Sequence, residues 1–136
     1  MKRVLGIDPG DARIGIAISD DLGMLAHPLE TIQVKSGRVV ARILEIIREK
    51  GIEAIVVGMP RNMDGSFGPA AQKSREFIEA LKLETACPII AWDERWTTVS
   101  AQRSLHEAGK KARDQKAMID QVAAQILLQS WLDSQA

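Results

Sequence analysis

A short apolar run, Ile52–Met59, lies between two segments with helical periodicity, and this arrangement constrains the fold more than any other feature of the chain. Apolar residues recur on one broad face of a predicted helix in residues 39–47, which Gly51 terminates. Helical spacing returns in residues 70–81. A strand that follows a helix in this way joins a sheet parallel to an earlier strand through a right-handed crossover. The sequence therefore predicts an α/β fold.

The N-terminal third of the chain has a different pattern, with three strand-like segments separated by short turns. Residues 3–8 are an apolar run, and residues 24–32 form another candidate strand. Between them, Ile14, Ile16 and Ile18 alternate with small or polar residues, as in a half-buried strand. Turn-forming residues separate them at positions 9–11 and 20–23. Strands joined by such short turns form an antiparallel meander.

The remaining elements complete the predicted order βββαβαβαα. Residues 88–94 are the fifth strand. Thr97 or Thr98 caps a helix that runs to about residue 108, and Gly109 stops it. A basic link, residues 110–115, leads to a final helix in residues 116–132. We therefore predict a mixed five-stranded sheet, with a three-stranded antiparallel meander and two parallel strands, flanked by helices.

Composition places this fold in a single domain, residues 1–136, of a globular protein. Apolar residues make up 46% and charged residues 26% of the chain. No run approaches the roughly 18 apolar residues that a membrane span needs, and the N-terminus does not have the pattern of a signal peptide. The lone cysteine, Cys87, has no partner for an internal disulfide. These features predict a cytoplasmic protein that does not enter a membrane.

Three acidic residues stand at positions that this fold would bring together. Asp8 ends the first strand, Glu94 ends the fifth, and Asp120 lies in the last helix. The carboxyl ends of neighbouring strands share one rim, where ligand sites form. Carboxylate oxygens are the ligands that Mg²⁺ and Mn²⁺ favour, and such ions drive phosphodiester hydrolysis. Because successive strand residues point to opposite faces, only one of Asp93 and Glu94 is expected to face this site.

Each acid also has a simpler explanation. Asp8 precedes a proline and a glycine, as in many hairpin turns. Glu94 stands where acids decorate a helix N-terminus, and Asp120 is spaced for an exposed ion pair with Lys116.

Basic residues are concentrated between the second and third of these acids. Eighteen basic and eighteen acidic residues balance over the whole chain, whereas segment 95–116 has six basic residues against two acidic ones. Such a segment is either a solvated surface or a rim that binds phosphates. Asn62 lies in a polar loop on the same predicted rim as Asp8 and is a further candidate for contact with substrate.

Taken together, the motifs resemble the YqgF (RuvX) family of Holliday-junction-resolvase-like proteins over essentially the whole chain. The motifs that carry the resemblance are Gly6-Ile7-Asp8-Pro9-Gly10, Val57-Gly58-Met59-Pro60 with Asn62-Met63-Asp64-Gly65-Ser66, Asp93-Glu94-Arg95 with Thr97-Thr98, and Lys116 with Ile119-Asp120 and Ala123-Ala124. The ordered set at these spacings is specific to the family. One position departs from it, since Trp96 stands where the family commonly has leucine.

The resemblance implies an RNase H-like fold and a metal-dependent endonuclease that matures the 5′ end of pre-16S ribosomal RNA. It implies that Asp8, Glu94 and Asp120 are the catalytic acids that bind Mg²⁺ or Mn²⁺. The substrate-binding residues that we expect are Asn62, Arg95, Lys110, Lys111, Arg113 and Lys116. Precursor rRNA, branched DNA and ribosomal precursor particles are the expected partners.

Three other functions stay open at this point. A DNA junction resolvase would use the same fold and the same acids. A non-catalytic RNA-binding or ribosome-assembly factor would retain the fold alone. Asp8-Pro9-Gly10 also occurs in actin-like proteins that bind ATP, although those close two domains over the nucleotide.

Overall fold

The structure is a computed structural model that describes residues 3–60, 64, 66–94 and 113–135, and only the backbone of residues 113–118. The strands are β1 (Arg3–Asp8), β2 (Arg13–Ser19), β3 (Ala26–Gln33), β4 (Ile52–Met59) and β5 (Ile89–Asp93). The helices are α1 (Val39–Lys50), α2 (Pro69–Lys82) and α3 (Arg113–Ser134), and a single 3-10 turn, Val34–Ser36, precedes α1.

The five strands form one sheet in the order β3-β2-β1-β4-β5. Strand β2 pairs antiparallel with both β1 and β3, whereas β4 pairs parallel with both β1 and β5. The predicted mixed sheet of a meander plus two parallel strands is confirmed. Strand β1 lies at the centre, so its carboxyl end opens onto the middle of the rim.

The two faces of the sheet are covered by different helices. On one face, Leu5 and Ile7 of β1 pack with Ile43 of α1 and Leu81 of α2, all fully buried. On the other face, Val4 packs in a second cluster with apolar residues of α3. We call these the α1/α2 face and the α3 face. Because side chains alternate along a strand, Asp8 shares the α3 face with Val4.

The largest differences from the predicted element boundaries are at the starts of β3 and α3. Strand β3 begins at Ala26 rather than residue 24, because the Asp20 carboxylate accepts a hydrogen bond from the Met24 amide (2.8 Å) and extends the turn. Helix α3 begins at Arg113, so the last three residues of the predicted basic link are helical. Residues 113–118 contain no glycine or proline, and a high density of charge does not distinguish a link from a first helical turn.

Other predictions have mixed outcomes. Helix α1 ends at Gly51, as predicted, where the glycine adopts a left-handed φ of 65° and donates its N–H to the Ile47 carbonyl. The predicted helix in residues 97–108 lies outside the described residues. Within the part of the chain that the structure describes, no helix has the length and apolarity needed to cross a membrane.

Candidate active site

Asp8 lies at the end of the central strand, between two glycines on neighbouring strands. It is only 5% exposed, and its Cα is paired with that of Gly15 in β2. On the other side, Ile7 pairs with Val57 of β4, so that Gly58 is the neighbour of Asp8. We call Gly15, Asp8 and Gly58 the Gly–Asp–Gly row. Neither neighbour carries a side chain, so other segments can approach the α3 face closely on both sides of Asp8.

Asp120 fills the space above the first glycine of the row. A methyl group built on Gly15 would overlap the backbone carbonyl of Asp120, so α3 lies directly on β2 at this point. The same close approach recurs further along α3, where a methyl group on Gly6 would lie 2.7 Å from Cβ of Leu128. Small residues in the sheet therefore set the depth at which α3 docks and bring Asp120 beside the end of β1.

Glu94 lies over the second glycine of the row. It follows β5 directly, and its Oε1 atom would be 3.2 Å from a methyl group built on Gly58. Trp92 is two residues before Glu94 and lies on the same face of the sheet. Its indole N–H donates a hydrogen bond to the Ser130 hydroxyl (3.1 Å), which connects β5 to α3. Asp93 pairs in register with Met59 and therefore lies on the α1/α2 face.

Arg13 is a member of the site that was not anticipated from the sequence. Its Nε donates to Oδ2 of Asp120 at 2.6 Å, and the Asp120 side chain is only 14% exposed. A signal was available, since Arg13 and Gly15 are two residues apart on β2 and therefore share a face. The predicted partner of Asp120, Lys116, has no described side chain.

The donor chemistry of the three acids fits a divalent cation, but their carboxylates do not form a single ligand cluster. Carboxylate oxygens suit Mg²⁺ and Mn²⁺. Among the described side chains, however, no group of three acids, histidines or cysteines is placed to hold one ion. The Asp120 carboxylate is bound to Arg13 instead. A cation shared with Asp120 would therefore have to displace the guanidinium or join it.

The other predicted site residues fall outside what the structure describes. These are Asn62, Arg95, Lys110 and Lys111, together with the side chains of Arg113 and Lys116 in the first turns of α3.

Comparison with known protein families shows which family the chain belongs to. The family model RuvX, described as Holliday junction resolvase, matches residues 2–134. The chain belongs to the RuvX family. Family membership confirms the resemblance found in the sequence motifs and makes the chain an enzyme of the nuclease class.

Individual RuvX relatives are similar over nearly their full length. A protein of Acetivibrio thermocellus named "Putative pre-16S rRNA nuclease" is 49% identical, with 97% of this chain and 96% of that protein covered. A protein of Halothermothrix orenii with the same name is 46% identical, with 98% and 96% covered.

Solved structures confirm the RNase H-like fold of this RuvX family member. Thermus thermophilus RuvC, in complex with a Holliday junction substrate, superposes with a TM-score of 0.58 at 20% identity, covering 98% of this chain and 95% of that chain. The fowlpox virus Holliday junction resolvase gives a TM-score of 0.52 at 15% identity, covering 98% and 99%. At these identities the likeness extends to the fold alone.

Proposed function

We propose that the chain, acting as one domain, is a metal-dependent endonuclease that matures the 5′ end of pre-16S rRNA in the cytoplasm. The observation that carries this proposal is the Gly–Asp–Gly row, with the Asp120 backbone over one glycine and the Glu94 carboxylate over the other. The names of the relatives at 49% and 46% identity support the substrate.

Asp8, Glu94 and Asp120 would hold Mg²⁺ or Mn²⁺ in this site. Such an ion, when bound, lowers the pKa of water and stabilises the charge that develops on the scissile phosphate. The packing of α3 against Gly15 excludes water from one side of Asp8 and fixes the strand end. The Arg13 guanidinium neutralises Asp120 and so limits the repulsion between neighbouring carboxylates.

The basic residues that precede and begin α3 are proposed to bind RNA phosphates. We assign this role to Arg95, Lys110, Lys111, Arg113 and Lys116, and we assign contact with the strand near the scissile bond to Asn62. Contacts of this kind neutralise phosphates and make binding dependent on salt. Ribosomal precursor particles are the proposed cellular context of the substrate.

A DNA junction resolvase is the second candidate, because the description of the RuvX family model names that activity. We expect the purified protein, with Mg²⁺ or Mn²⁺, to cut precursor 16S rRNA at its 5′ side faster than it cuts a four-way DNA junction of equal length. End-labelled substrates at matched concentrations give both rates. Faster cleavage of the junction would establish the second candidate in place of the first.

Exchange between Arg13 and a cation provides a direct test of the metal site. In EDTA, Arg13→Gln should lower the free energy of unfolding by about 1–2 kcal/mol, because a partly buried carboxylate loses its partner. Millimolar Mn²⁺ should then raise the melting temperature of this variant more than that of the unmodified protein, since the ion replaces the lost guanidinium. Thermal unfolding with and without Mn²⁺ measures both effects.

Arg3→Gln is the matched control for this experiment. Arg3 forms an exposed Arg–Asp pair with Asp21 (2.5 Å), far along β1 from Asp8. Its loss should change neither the melting temperature nor the response to Mn²⁺ appreciably. Equal Mn²⁺ shifts in all three proteins would exclude an ion at Asp120.

A further inference from the structure

A cavity of about 510 Å³ opens on the α1/α2 face at the same rim as the acids. Pro9 and Gly10, which directly follow Asp8, form part of its wall, and Pro60, which directly follows β4, forms another part. The sheet separates this cavity from the α3 face, where Asp120 and Glu94 lie. Its volume is in the range of about 300–1,000 Å³ that is typical of small-molecule and cofactor sites.

A buried hydroxyl in the cavity wall has no hydrogen-bonding partner among the residues that the structure describes. Ser74 is 2% exposed, and no described residue donates to or accepts a hydrogen bond from its side chain. Ser19 is buried to the same extent, but its Oγ accepts from the Val4 amide (2.8 Å) and donates to the Asp20 carbonyl (3.2 Å). Because buried polar groups are normally paired, the Ser74 hydroxyl indicates a ligand that supplies a polar atom inside the cavity.

Most of the wall is apolar, and it includes one aromatic ring. Phe77 lies one turn of α2 beyond Ser74, and Ile14 of β2 and Val40 of α1 also line the cavity. An aromatic side chain beside apolar surface and a single hydrogen-bonding group is the combination that binds an unstacked nucleobase. The ring of the base packs on the apolar wall, and its edge reaches the hydroxyl.

The ammonium group of Lys73 lies at the cavity, in an ion pair that breaks easily. Lys73 pairs with Asp11 at 2.7 Å, and both side chains are mostly exposed. Exposed pairs of this kind are weak, so a phosphate group can take the place of the Asp11 carboxylate.

We propose that this cavity binds an unstacked base of the RNA strand that is cut at Asp8. The base edge hydrogen-bonds to Ser74, its ring packs against Phe77, and the adjoining phosphate pairs with Lys73. Since Pro9 and Gly10 follow Asp8 without a gap, a strand anchored here passes the rim beside the acids. This proposal rests on the proposed nuclease function, because it takes RNA as the ligand.

Single-stranded RNA that contains 2-aminopurine tests the proposal without any cleavage. In EDTA, titration of the protein into this RNA should change the fluorescence of the probe as the base leaves the stack. Ala70→Leu, at an exposed position of α2 that lines the cavity, should weaken binding about tenfold by filling the space for the base. Ala80→Leu, also exposed on α2 but away from the cavity, should bind like the unmodified protein.

Ser74→Ala distinguishes ligand recognition from a structural role. It should weaken RNA binding about fivefold, because the base loses a hydrogen bond. It should not lower the melting temperature, because no residue in the described part of the chain pairs with the hydroxyl. A lower melting temperature with unchanged RNA affinity would overturn the assignment of Ser74.

Two further outcomes would overturn the proposal as a whole. One is Ala70→Leu protein that binds the probe RNA as tightly as the unmodified protein. The other is a free nucleoside monophosphate that binds as tightly as the RNA, which would make the cavity a nucleotide site. Failure of the proposed nuclease function would give a different result. In that case Ala70→Leu would still weaken RNA binding in EDTA, but the unmodified protein would not cut precursor rRNA.

Discussion

Asp8→Asn is expected to lower the rate of precursor rRNA cleavage by about a thousandfold or more, because it removes the central carboxylate of the Gly–Asp–Gly row. Asparagine has nearly the same shape, so the backbone pairing with Gly15 should persist. Without a metal ion, the melting temperature should be unchanged or higher, since one of three neighbouring negative charges is lost. Single-turnover cleavage at saturating RNA measures the chemical step, and thermal unfolding in EDTA measures the fold.

Asp21→Asn is the matched control for this variant. Asp21 is an exposed aspartate that pairs with Arg3 at a distance from the rim, so cleavage should stay within about twofold of the unmodified rate. RNA affinity should be the same in both variants within a similar factor, because the acids are proposed to act on the reaction rather than on binding. Asp8→Asn protein that retained a tenth of the activity would exclude Asp8 from the chemistry.

Gly15→Ala is expected to lower the free energy of unfolding by about 3 kcal/mol, and with it the melting temperature by about 10 °C. The added methyl group would overlap the backbone carbonyl of Asp120, and a backbone atom cannot move unless the helix moves with it. Helix α3 must therefore lift off β2 and carry Asp120 away from Asp8. Cleavage should fall together with stability, as measured by denaturant unfolding and by the rRNA assay on one preparation.

Gly58→Ala provides the contrast, since the nearest atoms to the added methyl group belong to side chains rather than to the backbone. The added methyl group would lie 3.0 Å from Cδ2 of Leu127 and 3.2 Å from Oε1 of Glu94, so it meets side-chain ends and no backbone atom. Stability should fall by only about 1 kcal/mol, whereas cleavage should fall by more than this loss explains because the Glu94 carboxylate is displaced. A larger loss of stability in Gly58→Ala than in Gly15→Ala would contradict the described docking of α3.

Local patterns in the sequence were sufficient to predict the strands, the sheet and the positions of the acids at strand ends. Ile52–Met59 was predicted with the bounds that the structure has, because a dense apolar run between two helical segments has one interpretation. Boundaries marked only by polar or charged residues were less accurate, as at the start of α3, because such residues suit a link and a helix equally well.

The surroundings of the acids could not be predicted, because they depend on cross-strand register. Alternation along β2 places Arg13 and Gly15 on one face, but it does not indicate which part of α3 lies above them. Likewise, only the pairing of β1 with β4 shows that Gly58 lies beside Asp8. The cavity on the α1/α2 face also arises from four segments that are distant in sequence, so that no local pattern indicates it.

The amide side chains of α3 have a consequence for the behaviour of the protein at high concentration. Strand β3 is at the edge of the sheet, and open backbone groups on an edge strand invite pairing with another molecule. At Ala26, where β3 begins, Gln129 accepts from the N–H (2.9 Å) and Gln125 donates to the C=O (3.0 Å). The two glutamines occupy the hydrogen-bonding groups that an added strand would use there, and α3 thus protects this end of the edge against aggregation.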